Sequence, residues 1–243
     1  MEDLKQEYKN YTEDDFWIWN KLYTEQTKNL VDKSCYEFKN CLKELEGGMN
    51  AKKIAKFTEL NKLLKNKNGW SIKVVPGLIS AEDFFKFLSK KKFCSSTWLR
   101  SKSQLKYLSE PDMFHDIYGH IPLLMNKGYS NFTQKLGSIG VKYAQYPKAL
   151  AKIQKLYWFT IEFGMMIRDG KYKIYGAGIL SSLAESKRIF SRKSDIRDFD
   201  LEDVINSDYD ITKIQPFYYA IHSFDQLYQC LFKLEEILTK ETS

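Results

Sequence analysis

A mostly α-helical fold with a few short β-strands is what the sequence predicts, and three observations carry that expectation. Apolar residues recur at three- and four-residue steps along much of the chain, the signature of helices that bury one face. Alternating, β-branched stretches are confined to a few short segments. Hydrophobic residues make up 43% of the 243 positions, enough for a sizeable core, which excludes a disordered chain.

The first 65 residues read as helical. Phe16, Trp17, Leu22 and Tyr23 lead one segment, and Leu42, Leu45, Ile54, Phe57, Leu60 and Leu63 continue the periodicity, with Gly47-Gly48 as a break. Trp70 to Val75 alternates and reads as a strand stopped by Pro76-Gly77. Ser80 to Asp83 has the spacing of a helix cap, with Phe84, Phe85, Phe87 and Leu88 following. Another helix start is expected at Glu110-Pro111-Asp112, since proline suits the first helical position. Pro122 disfavours helix at Ile121 and places an end or kink near His120. Pro147 opens a helix expected to run to Ile167 or Arg168, before the turn Asp169-Gly170 and a strand from Lys171 to Tyr175. Leu227, Leu231, Leu234 and Leu238 mark an amphipathic C-terminal helix.

No repeat, low-complexity tract or Pro/Gly/Ser linker divides the chain, so a single domain over 1–243 is expected. It divides into a helical segment at about 1–65, a core at about 66–225 and a C-terminal helix at about 225–240. No apolar run approaches the roughly 18 residues of a membrane span. The N-terminal MEDLKQEYKN lacks the apolar stretch of a signal peptide, so a soluble, cytoplasmic protein is expected. The formal charge of +7 comes from lysines scattered along the chain and reads as a solvated surface, with no nucleic-acid partner expected. The four cysteines show no CxxC spacing and are expected to be reduced thiols.

Two places carry more chemistry than folding needs. His115 and His120 lie in PDMFHDIYGHIP, and imidazole is the commonest biological metal ligand. In a regular α-helix, residues five apart differ by about 140° around the axis, so convergence needs a local distortion or a helix end, for which Gly119 and Pro122 are candidates. Glu162 is the only charge in LYWFTIEFGMMI, and its helical neighbours Trp158, Phe159, Met165 and Met166 cannot pair with it. A carboxylate buried there needs either a cation from another element or a metal. Two histidines and one carboxylate with open positions suit non-haem Fe(II), and zinc with a bound water competes. His222 has no ligand-like companion and reads as structural or surface.

PDMFHDIYGHIPLL (111–124), LYWFTIEFGMM (156–166) and YGAGILSSLAE (175–185) resemble the three core motifs of the pterin-dependent aromatic amino acid hydroxylases. NGWSIKVVPGLISAEDFF (68–85) and Gln215-Pro216 with its following tyrosines extend the resemblance, which runs in order from about residue 30 to 230. Length and organisation are similar to the short bacterial form, without the regulatory domain and oligomerisation helix of animal members.

The resemblance implies a mostly helical catalytic domain that hydroxylates an aromatic amino acid, phenylalanine to tyrosine first among the activities. Fe(II), a tetrahydropterin such as tetrahydrobiopterin, and O2 would take part. His115, His120 and Glu162 match the iron ligands, while Gly77, Leu78, Ile79, Phe84 and Asp116 match pterin contacts. Arg100 matches the arginine that clamps the amino acid carboxylate, a task suited to its planar fork. Gly178 and Ser181 match further substrate contacts, and Trp158 matches the position that packs on the substrate ring. Three residues depart from the animal pattern: Leu108 for a substrate-holding threonine, Cys94 for a histidine beside the pterin, and Ala81 for a small polar residue. Hydroxylation of tryptophan or tyrosine stays open, as does a zinc hydrolase at the same three donors. A monomer with no membrane partner completes the expectation.

Overall fold

The computed structural model describes residues 4–105, 108, 110–190, 194–211 and 213–242, and helices dominate them. Helix α1 (Glu13–Leu30) begins at a reciprocal cap between Thr12 and Asp15, with three acidic residues in its first turn favoured by the helix dipole. Its buried face is Ile18, Trp19, Tyr23, Gln26 and Leu30; Phe16 and Trp17, expected to lead that face, are exposed instead. Trp19 packs edge-on against Phe114, and Tyr23 against Tyr118, so α1 braces the histidine-bearing segment. Helices α2 (Tyr36–Glu44) and α3 (Phe57–Asn68) follow; Gly69 ends α3 at a φ of 78°, where a side chain would be strained.

Strands β1 (Ser71–Val74) and β2 (Lys92–Ser95) are parallel, joined by α4 (Ala81–Ser89), whose cap is the Ser80 hydroxyl accepting from the Asp83 amide at 3.1 Å. A π-helical segment, His115–His120, runs directly into α5 (Ile121–Leu124). Next come α6 (Lys127–Lys142), α7 (Pro147–Tyr157) and a second π-helical segment, Trp158–Glu162. Strands β3 (Met165–Arg168) and β4 (Lys171–Ile174) form a hairpin. Short helices α8 (Ala177–Leu180) and α9 (Leu183–Arg188) precede β5 (Asp195–Asp198), α10 (Leu201–Asn206) and β6 (Phe217–Ile221). The four strands are ordered β4-β3-β6-β5, with β6 parallel to both neighbours. Helix α11 (Phe224–Thr242) buries Leu227, Leu231, Leu234 and Leu238 as expected and packs on α6.

Four local expectations change. The helix expected at Pro111 begins two residues later, because the Asp112 carboxylate takes the cap, accepting from the His115 amide at 3.1 Å. Pro122 does not terminate the helix, since Ile121 is helical; instead the π-helical segment closes at His120 and passes into α5, with Pro122 in its first residues. The helix from Pro147 stops at Glu162, and Met165–Arg168 is a strand held between β4 and β6. Helix α6 has no counterpart in the sequence reading, because Gly137 and Gly140 weaken its helical pattern. Those glycines serve close packing: a Cβ at Gly137 would lie 2.5 Å from the Ser89 amide, and one at Gly140 would lie 2.4 Å from the Phe85 ring.

One hydrophobic cluster extends from Trp19 on α1 to Leu238 on α11. The four cysteines are free thiols, as expected, and His222 is exposed. Among the described residues, no helix is long and apolar enough to cross a membrane.

Candidate metal centre and its cavity

Both π-helical segments end in a ligand-type side chain, and this settles the spacing problem in the sequence. Bonding from residue i to i+5 brings residues five apart over one another, whereas a regular α-helix would splay them. His115 Nε2 and His120 Nε2 therefore meet at 3.1 Å. Glu162, last in the second segment, places Oε1 3.1 Å from His120 Nε2 and Oε2 3.6 Å from His115 Nε2. One ligand atom from each of the three lies within 4.8 Å of the others. Gly119 lets the first π-helical segment pack closely on α8, since a Cβ there would sit 2.8 Å from the Ala177 carbonyl oxygen.

Neighbouring groups define the protonation of these donors. The Ser181 hydroxyl donates to the Ala177 carbonyl at 2.8 Å, so toward His115 Nδ1, 2.9 Å away, it acts as acceptor. His115 thus carries its proton on Nδ1 and turns the Nε2 lone pair toward Glu162. Burial pushes the His115 imidazole down to about 4, which keeps it neutral as a ligand must be. For Glu162, burial acts to raise the carboxyl, but the facing His120 ring and the Tyr157 hydroxyl outweigh it and hold it below its ordinary value. The Phe93 ring lies against His120 at a centroid distance of 4.6 Å, and His120 Nδ1 is buried with no hydrogen-bond partner among the described residues.

Asp112 underlies the centre, fully buried. Its carboxylate caps His115 and grips Arg100 through Nε and Nη2, each at 2.8 Å, and through the Arg100 amide at 3.0 Å. Against the cost of burial, these contacts hold the Asp112 carboxyl below its ordinary value. Among the described residues, Arg100 Nη1 has no protein acceptor, and the side chain faces the cavity. Asp116 takes the Ser96 amide on Oδ2 at 2.9 Å, and burial pushes its carboxyl up to about 7.

The donors open into a cavity of about 890 Å³. Every site residue proposed from the sequence lines it: His115, His120, Glu162, Gly77, Leu78, Ile79, Phe84, Asp116, Arg100, Trp158, Gly178 and Ser181. The departing residues Ala81, Cys94 and Leu108 line it too. Phe84 stands edge-on to Tyr157 at 5.2 Å, and Trp158 stacks on Tyr209 at 4.5 Å with an interplanar angle of 16°. Ser181 contacts His115 directly, which sequence reasoning had placed only among substrate contacts. Sequence reasoning also missed Asp112, Tyr157 and Tyr209. The first carried a signal, a helix-cap acid three residues before a histidine. The other two carried none beyond being aromatic.

The family model of biopterin-dependent aromatic amino acid hydroxylases matches residues 5–243. The chain belongs to this family. Relatives of this hydroxylase include the phenylalanine-4-hydroxylase of Chromobacterium violaceum, 41% identical over 226 residues that cover 93% of this chain and 75% of the relative. That of Ralstonia nicotianae is 39% identical over 93% of this chain and 71% of its own length. Among solved structures, the Chromobacterium violaceum enzyme with bound iron(III) and 7,8-dihydrobiopterin superposes with a TM-score of 0.91 at 39% identity, covering 98% of this hydroxylase and 86% of that chain. The apo structure of the cold-active phenylalanine hydroxylase of Colwellia psychrerythraea gives 0.90 at 33% identity, covering 98% and 92%.

Proposed function

We propose that this hydroxylase converts L-phenylalanine to L-tyrosine with O2, a tetrahydropterin and Fe(II), and that His115, His120 and Glu162 hold the iron. The observation that carries this reading is the meeting of two imidazole Nε2 atoms and a carboxylate at the floor of one aromatic-walled cavity. Donors that close, with the His115 lone pair turned inward by Ser181, suit a cation between them. Nitrogen and oxygen donors on three sides, with the rest open to the cavity, suit Fe(II). Cys94 lines the cavity but is not among the three residues whose ligand atoms meet.

When bound, the tetrahydropterin would supply two electrons and iron would provide the site at which O2 is reduced, one oxygen going to the amino acid ring and the other to the pterin. The protein's own part is binding and orientation. Arg100, fixed by Asp112 and with Nη1 spare, receives the amino acid carboxylate. Trp158 packs on the substrate ring, with Gly178 and Ser181 lining the same cavity. Phe84 offers a ring face for the pterin, and the Gly77–Ile79 segment and Asp116 offer hydrogen-bonding groups to it. The apolar walls keep water from the reacting ring. The single hydrophobic cluster supports a chain that works as one catalytic domain.

The test is product analysis: protein loaded anaerobically with Fe(II) is given phenylalanine, tetrahydrobiopterin and air, and tyrosine is quantified. Tyrosine is the expected product. Absence of tyrosine, together with no hydroxylation of tryptophan or tyrosine, overturns the assignment.

A further inference from the structure

One wall of the cavity is tied together by a single buried amide. Gln215, just before β6, is 2% exposed. Its Oε1 accepts from Trp158 Nε1 at 3.0 Å, while its Nε2 donates to the carbonyl oxygens of Asp210 at 3.2 Å and Lys213 at 3.0 Å. Its backbone amide donates to Glu185 Oε1 at 3.3 Å, and the same oxygen accepts the Tyr218 hydroxyl at 2.5 Å. Every polar atom of the side chain therefore joins the Trp158 indole to the segment that precedes β6. That segment contributes Tyr209, Ile211 and Ile214 to the cavity wall, and Tyr209 is the ring stacked on Trp158.

We propose that Gln215 is a positioning residue for the aromatic substrate: its amide fixes the Trp158 indole against the wall of Tyr209, Ile211 and Ile214, and so sets the width of the slot that receives the amino acid ring. The inference rests on the assignment of Trp158 to ring binding made above. A half-buried indole has two side-chain torsions, and its ring contacts with Tyr209 and Phe163 do not fix its position along the wall as a directional hydrogen bond does. The Nε1 hydrogen bond removes that freedom, and the bonds to Asp210 and Lys213 hold the segment that carries Tyr209, the ring stacked on Trp158, to the same reference point. A slot of fixed width discriminates between a benzyl and an indolyl ring by steric fit, which a loosened one does not.

The experiment compares wild type, Gln215→Met, Gln215→Asn, Trp158→Phe and the Gln215→Met/Trp158→Phe double variant, each as iron-loaded enzyme. Phenylalanine and tryptophan compete in one reaction with tetrahydrobiopterin and air. Gln215→Met keeps the side-chain length and removes the amide; Gln215→Asn keeps the amide and shortens its reach. Both should raise the KM for phenylalanine about tenfold, with kcat changed by less than about threefold. Iron content and the pterin KM should stay at wild-type values, and the share of hydroxytryptophan in the product should rise. The double variant should be no worse than Trp158→Phe alone, because the two act through one contact.

Unchanged phenylalanine KM and product ratio in folded Gln215→Met overturn the proposal, as do penalties that multiply in the double variant. Failure of both Gln215 variants to fold would make the residue a fold determinant and overturn it as well. A wild-type enzyme that hydroxylates neither amino acid overturns the assigned function itself, whereas an active wild type with insensitive variants overturns only the role of Gln215.

Discussion

The floor of the cavity and its mouth are held in opposite ways. At the floor, His115 is fixed by Ser181 at one nitrogen and by the Asp112 cap at its backbone; Asp112 is in turn fixed by three bonds from Arg100. At the mouth, Leu78 is 70% exposed, with little around it to fix a rotamer. The difference separates two tasks. Reaction type depends on donors placed to within fractions of an ångström, and the floor supplies that through the hydrogen bonds that fix His115 and Asp112. Admission of two bulky ligands needs side chains that can give way, and the mouth supplies those.

The sharpest way to break this contrast is to remove a donor. Glu162→Ala should lose bound iron and lower tyrosine formation by about 10³-fold or more; full iron content by metal analysis would remove Glu162 from the centre. Asp112→Ala should follow, because it strands the Arg100 charge in a buried site and uncaps His115. Denaturant unfolding should show a loss of about 3 kcal/mol or more, and a loss under about 1 kcal/mol would mean that water takes over the role of Asp112.

Ser181→Ala tests the floor more gently. It frees the His115 ring without deleting a donor, so iron should bind about 10- to 100-fold more weakly, read by competition with a chelator. Unchanged affinity would show that packing alone orients the ring. At the mouth, Leu78→Ala should change stability by less than about 0.5 kcal/mol, with its effect confined to the pterin KM. A drop in iron content in that variant would contradict the separation of mouth from floor.

The two regions also differed in how far the sequence revealed them. Two histidines inside a proline-bounded segment and a lone glutamate in an apolar run pointed to the floor before any fold was known. What stayed hidden was the π-helical register. Neighbours of Glu162 were counted on a 3.6-residue turn, yet Met165 and Met166 lie in a strand and its real partners come from the other π segment. Helix α6 stayed hidden because its two glycines answer to α4, roughly 50 residues earlier, and not to local propensity. Strand β6 is buried along most of its length, so it lacks the alternation by which β1 and β4 were found. The wall built by Tyr209 and Gln215 is tertiary throughout: nothing in the local pattern relates Gln215 to a tryptophan 57 positions away.

The central claim, that the floor directs oxygen from O2 onto an aromatic amino acid ring, is tested most directly by isotope labelling. Iron-loaded protein given phenylalanine, tetrahydrobiopterin and 18O2 in unlabelled water should yield tyrosine that carries one 18O in its hydroxyl group, and replacing Fe(II) by Zn(II) should abolish that product. Tyrosine labelled from water, or a product formed equally well with zinc, would contradict the account.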